Sequence, residues 1–255
     1  MNKKTSRYFA ICLMISISSV FASGQNTDYI KWNLKGKVKS IKESSFSVKE
    51  IEGKYVADSL EYYYWNEFNS YGNKTVDSKF LPNGISDKNY IYKYDNNNRR
   101  IEENQYARDG KLIRTISYKY DSNGHLIEDS SIEGNGKPGK KITYQYDDKW
   151  NVIEDDSYNG EGKLQKKFTY KYDTKGNKTE NYRYNADGIL EKKIFYTYDI
   201  QNNIVEESSY KPDDKLIGEY SYLYKYDNQN NWIEKIRTVG GKAEEILNRE
   251  VVYFE

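Results

Sequence analysis

The chain lacks most of the residues from which redox, metal and thiol sites are built. It has a single cysteine, Cys12, a single histidine, His125, and only three prolines in 255 residues. Cys12 lies inside an N-terminal apolar run, which leaves the rest of the chain without a disulfide, a thiol nucleophile or a lipid-attachment cysteine. One histidine beside a turn does not make a Ser-His-Asp arrangement, and no clustered zinc ligands accompany it. The glycines fall at turns rather than in strand-to-helix phosphate loops. No cofactor, no metal and no enzymatic activity are therefore expected.

A charge excess of one sign is also missing. Lys and Arg number 40 against 39 Asp and Glu, and residues 1–22 hold Lys3, Lys4 and Arg7. Without them the balance is 37 to 39, or −2, which offers no basic field to nucleic acid. Long apolar runs are absent after the first two dozen residues. The start itself, MNKKTSR followed by YFAICLMISISSVFA, reads as a secretory signal peptide, residues 1–22, cleaved after Ala22 or Gly24. This implies a protein that is secreted, periplasmic or at the cell surface, with no transmembrane segment in the mature chain.

Leu, Ile, Val and Phe supply only 45 of the 233 residues after Ala22, a composition close to that of disordered chains. What replaces them is tyrosine, 28 in all, placed with a strict period. Tyr-x-Tyr-Asp begins at Tyr92, Tyr118, Tyr144, Tyr170, Tyr196 and Tyr224, at intervals of 26, 26, 26, 26 and 28. Such a period marks a supersecondary unit that stacks on its neighbours to bury its apolar face. The chain divides into the signal peptide, residues 23–60 as an N-terminal half-repeat with an irregular connection at 49–59, and the repeat domain, residues 61–255.

Each unit contains two strand-like segments. In KKFTYKYD, alternation puts Lys166, Phe168, Tyr170 and Tyr172 on one face. In NVIEDDSY it groups Val152, Glu154, Asp156 and Tyr158. Asn83-Gly84, Asp109-Gly110, Asn135-Gly136 and Asp187-Gly188 suggest tight primed hairpin turns. The other connections begin with Asp and carry Gly or Asn at the fourth residue, as in type I turns closed by a left-handed residue. Short turns at both ends imply an antiparallel up-and-down meander of about 16 all-β strands. Twist must curl so large a sheet into a spiral or barrel-like shell.

The Tyr-x-Tyr-Asp-x-x-Gly-Asn pattern, seen as YKYDTKGN at 170–177 and YKYDSNGH at 118–125, resembles the YD or RHS repeat family of bacterial surface and secreted proteins. The resemblance runs from about residue 61 to 238. It implies a continuous β-meander wound into a hollow shell in an extracytoplasmic setting. No toxin domain is seen here.

Several residues are candidates for function. Glu102, Glu128, Glu154, Glu180, Glu206 and Glu234 form a repeating acidic series, with Lys88, Arg114, Lys140, Lys166 and Lys192 as a matching basic one. Alternation places both on the tyrosine face, where they offset each other across strands. A position repeated six times is poor evidence for a unique carboxylate pair of the glycosidase kind. The aspartates at 95, 121, 147, 173, 199 and 227 are expected to cap their own turns rather than bind calcium. The aromatics that break the pattern, Trp65, Tyr63, Trp150 and Trp232, are the candidate binding residues. The expectation is a non-enzymatic module binding a cell-envelope polysaccharide or surface protein. The alternative is a scaffold pairing through edge strands at 38–47 and 246–254. An outer-membrane barrel conflicts with charge on both faces.

Overall fold

A computed structural model describes residues 27–255, so the expected signal peptide lies outside the described residues. A short helix, Asp28–Lys31, precedes the strands β1 Val38–Ile51, β2 Lys54–Phe68, β3 Lys74–Phe80, β4 Ser86–Tyr94, β5 Arg100–Ala107, β6 Leu112–Tyr120, β7 Leu126–Glu133 and β8 Pro138–Tyr146. The second half adds β9 Val152–Tyr158, β10 Leu164–Tyr172, β11 Lys178–Asn185, β12 Leu190–Tyr198, β13 Ile204–Tyr210, β14 Leu216–Tyr226, β15 Trp232–Val239 and β16 Lys242–Tyr253. Consecutive strands pair antiparallel, and β1 pairs with β16, so the all-β meander closes into a barrel of sixteen strands. Closure corrects the expectation of free edges at 38–47 and 246–254. These two segments pair with each other from Val38↔Tyr253 to Phe46↔Ile246. The stretch at 49–59, expected as an irregular connection, is drawn out as a two-stranded ribbon from Val48↔Ala57 to Ile51↔Lys54.

The two ends of the barrel differ in sequence but share one turn backbone. At the Asp turns, the Asp95 N–H donates to Arg99 O at 2.9 Å and the Asn98 N–H to Asp95 O at 3.0 Å. At the Gly hairpins the same pair recurs, Leu81 N–H to Ile85 O and Gly84 N–H to Leu81 O, both 2.9 Å. Both are three-residue loops whose last residue is left-handed. The Asn-Gly and Asp-Gly pairs are thus not primed two-residue turns, because only the glycine has a positive φ. Primed geometry occurs instead at Glu52-Gly53, φ 51° and 73°, and at Gly240-Gly241, φ 56° and 80°. The repeat aspartates do cap their turns. Asp95 Oδ1, for example, accepts from the N–H groups of Asn97 and Arg99, both at 2.9 Å, and Asp227 Oδ1 accepts from Gln229 and Asn231 in the same way.

Each repeat carries two bulges, and the one beside the Asp turn changes which side chains of the odd strand face inward. On β4 and β5 the register slips between Lys93↔Glu102 and Tyr94↔Arg100. Equivalent slips occur at Tyr120, Tyr146, Tyr172, Tyr198 and Tyr226. Beyond the slip, alternation is inverted. The Glu series therefore lies on the outer face, where Lys93–Glu102, Lys119–Glu128, Lys171–Glu180 and Lys225–Glu234 form cross-strand ion pairs at 2.6–3.0 Å. This corrects its expected place on the tyrosine face. The basic series stays with the tyrosines, since its strands reach Lys88, Arg114, Lys140, Lys166 and Lys192 before the slip.

Sixteen closed strands enclose more space than side chains fill. Inward tyrosines accordingly line the wall half-buried rather than forming a dense core. Their hydroxyls are anchored by a rule of the fold. In the first five pairs the second tyrosine donates to a carbonyl 20 residues earlier, as Tyr94 to Lys74 O at 2.7 Å and Tyr172 to Val152 O at 2.6 Å, while in the last pair Tyr224 takes that role with Ile204 O. The first donates to an inward acid, as Tyr92 to Asp77 at 2.8 Å and Tyr118 to Glu103 at 3.0 Å.

Residues 27–37 cross the Asp-turn mouth. Arg100 of β5 donates to both carboxylate oxygens of Asp28 at 2.8 Å. At the other side, Asn33 donates to Gln201 O at 2.8 Å, in the turn before β13, eight strands away around the ring. Lys35 and Asn231 exchange two hydrogen bonds of 2.8 Å. Leu34 completes a small apolar cluster with Val38, Ile41 and Phe68, flanked by Tyr29, Trp32, Val251 and Tyr253.

Candidate functional site

Two inward positions per repeat set the electrostatics of this mouth. The first, opening the odd strands from β3 to β13, holds Lys74, Arg100, Leu126, Val152, Lys178 and Ile204. The second, three residues later, holds Asp77, Glu103, Asp129, Asp155, Asn181 and Glu207. In β3 and β5 the two positions pair as ions, Lys74–Asp77 at 2.7 Å and Arg100–Glu103 at 3.3 Å. In β7, β9 and β13 an apolar residue precedes the acid. Burial there pushes the carboxyls of Asp129, Asp155 and Glu207 above the usual range, and hydrogen bonds from Tyr144 and Tyr170 only partly oppose this at the first two.

Strand β11 inverts that pattern, with a cation followed by a neutral amide. The Lys178 ammonium lies 3.6 Å from the centroid of Tyr170, with no hydrogen bond or ion pair to a carboxylate. Burial lowers its pKa to about 8, against the opposing charge of Asp155. Asn181, 9% exposed, hydrogen-bonds the Tyr196 hydroxyl, while its Oδ1 is buried without a donor.

The rim above this sector carries the other break in the repeat. At the left-handed turn position the chain uses Gly72, Asn98, Gly124, Gly176, Asn202 and Asn230, but the turn before β9 uses Trp150, φ 63°. Holding a bulky residue there costs on the order of 1–3 kcal/mol. The Trp150 ring stacks on His125 with centroids 3.5 Å apart and planes at 7°, and remains 49% exposed. Tyr146, an inward tyrosine, sits 5.8 Å from His125 and 6.2 Å from Trp150. In two other repeats the residue in the His125 position is an asparagine that reaches the next turn, Asn73 Nδ2 to Asn98 O at 2.8 Å and Asn177 Nδ2 to Asn202 Oδ1 at 3.2 Å. The aromatic stack takes the place of that hydrogen bond.

The four aromatics singled out from the sequence do not converge. Tyr63 stacks on Phe80 at 4.8 Å on the outer face of β2, and Trp65 lies on the same face, donating to Glu67 at 3.0 Å. Trp232 is inside, 8% exposed, under the Arg249 guanidinium at 3.4 Å. Only Trp150 stands at the mouth. Lys178 and Asn181 escaped notice in the sequence, although the 26-residue column Asp77, Glu103, Asp129, Asp155, Asn181, Glu207 shows the missing acid once read downward.

No protein-family model matches this chain, and no curated protein matches its sequence. A similar solved fold is a porin-like protein from Bacteroides uniformis ATCC 8492, at a TM-score of 0.55 and 12% identity, covering 86% of this chain and 98% of that one. At that identity the likeness is one of fold. A Photorhabdus luminescens Tc holotoxin pore aligns at a TM-score of 0.34 and 16% identity over 86% of this chain, which spans 11% of that chain. A TcdB2-TccC3-Cdc42 structure aligns at 0.33 and 14% over 85% of this chain and 12% of that one. Those two alignments are too loose to support an argument.

The outer face here is unlike a lipid-facing wall. Ion pairs recur around it, and each lysine at a bilayer midplane would cost about 2–4 kcal/mol. Most strands have 7–9 residues, shorter than or at the limit of the ~9–11 a membrane crossing needs.

Proposed function

We propose that this protein is a non-enzymatic, extracytoplasmic repeat barrel of the YD/RHS type that binds a cell-envelope polysaccharide at its Asp-turn mouth. The observation that carries this reading is the Trp150–His125 stack. A flat, half-exposed aromatic surface is kept at a backbone position where glycine or asparagine is less strained, and a sugar ring presents the apolar face that suits it. The anchored tyrosines below supply further rings at low entropic cost, because their hydroxyls are already fixed. The inward acids are engaged by tyrosines or by cations, which favours a binding wall over an acid–base pair. A scaffold that recruits partners through barrel edges loses its route, since β1 and β16 occupy each other.

The test is cosedimentation of the purified protein with separated peptidoglycan, surface polysaccharide and membrane-protein fractions of its source. Saturable binding to a glycan fraction is expected, reduced about tenfold or more by Trp150→Asn with no loss of melting temperature. The loss corresponds to about 1.4 kcal/mol, within the range of one aromatic contact. Binding to the protein fraction alone would replace the polysaccharide with a protein partner.

A further inference from the structure

Within the binding reading proposed above, on which this inference rests, the chemistry of the sugar can be narrowed. Two polar groups on the lumen side of β11 lack partners of complementary kind. The Lys178 ammonium has no acceptor and rests on the Tyr170 ring. The Asn181 Oδ1 has no donor. In β3 and β5 the same two positions satisfy each other as Lys74–Asp77 and Arg100–Glu103. Replacing the acid by Asn181 therefore removes the paired counter-ion at one height of one wall and leaves Lys178 only the more distant charge of Asp155, which is itself bonded to Tyr170. The vacancy lies in the same sector as the Trp150–His125 platform, on the second strand after β9, which Trp150 introduces.

We infer that Lys178 forms a subsite for an acidic sugar residue, its ammonium taking the carboxylate of a uronate where the neutral Asn181 replaces the acid that would otherwise occupy it. A carboxylate supplies the acceptor the ammonium lacks. A neutral sugar supplies none. The tyrosine ring beneath Lys178 screens it from competing water, which strengthens a charge-assisted hydrogen bond.

The experiment is calorimetric titration of the full purified protein with a galacturonate oligosaccharide and with its neutral galactose counterpart. The wild type is expected to favour the acidic chain by about tenfold or more, the scale of a charge-assisted hydrogen bond. Lys178→Met removes the charge without stranding an ion pair, and Asn181→Asp restores the counter-ion used in β3 and β5. Both variants should bring the acidic-to-neutral ratio near one. Melting curves establish that each is folded, and the two reach the same result by different routes. Because the Lys178 pKa is lowered to about 8, the wild-type preference should also decline as pH rises through that value. A preference that survives both substitutions, or a wild type that binds both sugars equally, overturns the subsite while leaving glycan binding intact. Binding of neither sugar overturns the subsite, and if the envelope glycans also fail to bind, the function proposed above falls with it.

Discussion

The wall from β16 through β1 to β5 and the wall from β7 to β13 are built from the same repeat, yet they balance charge in different ways. The first is a network of ions. Asp28, Lys74, Asp77, Arg100 and Glu103 are linked by contacts of 2.7–3.3 Å, and Arg249 holds Glu43 at 2.8 Å. The second has no such network at the same two positions, with the carboxyls of Asp129 and Asp155 bonded to tyrosines and one cation resting on a ring. The segment 27–37 accounts for the difference. At one end Asp28 supplies a carboxylate that stabilises the buried Arg100, while at the other end Asn33 meets the turn before β13 with a neutral amide. Opposite, the wall faces the lumen, and repeat positions have become apolar or neutral instead. On the function proposed above, one wall holds the fold together and the other binds.

The largest effect should come from breaking the ion network. Arg100→Met leaves Asp28 and Glu103 without their shared cation and should destabilise the protein by about 3–5 kcal/mol in urea unfolding. Asp28→Asn in the same background should recover part of that loss. On the opposite wall Tyr144→Phe removes the hydroxyl that donates to Asp129, an expected cost of about 1–2 kcal/mol in the same assay.

The two walls should also respond to pH with opposite sign. Burial raises Asp129, Asp155 and Glu207, so their contribution is complete below the ordinary carboxylate range and lost as pH rises through their raised values. Asp28 and Glu43 behave in reverse. Burial would raise them, but Arg100 and Arg249 respectively, with neighbouring lysines, bring them below their ordinary values. Their contribution persists until pH falls through those lowered values. Melting temperature should therefore rise on mild acidification from neutrality and fall in stronger acid. The triple change Asp129→Asn, Asp155→Asn, Glu207→Gln should abolish the rise. The smallest effect belongs to the outer face, where Glu128→Gln breaks only the exposed pair with Lys119 and should change stability by less than about 1 kcal/mol.

Much of this architecture was legible in the residues. The period of Tyr92, Tyr118, Tyr144, Tyr170 and Tyr196, with a turn in every half-period, leads directly to an antiparallel meander and to its strand number. Asp95 and its equivalents cap as their spacing implies. What alternation could not reveal is the bulge before Glu102 and its counterparts, because a period of two carries no mark of an inserted residue. That single slip moved the Glu series outside and brought Asp77, Glu103 and Asp129 inside. The mouth segment was also hidden, since Asp28, Asn33 and Lys35 belong to no repeat and find their partners only after the barrel closes. Trp150 could be recognised as an exception in its turn, but its stacking on His125 depends on the distance between neighbouring turns.

The most direct test of the division between a holding wall and a binding wall is amide chemical-shift mapping of the isotopically labelled protein with the envelope glycan that sediments with it. Shifts are expected to be confined to residues 121–125, 146–155 and 170–181, with the sector around Asp28, Lys74 and Arg100 unmoved. Shifts centred on the outer face around Tyr63 and Trp65, on the ribbon at 48–57, or on the ion network itself would contradict that division.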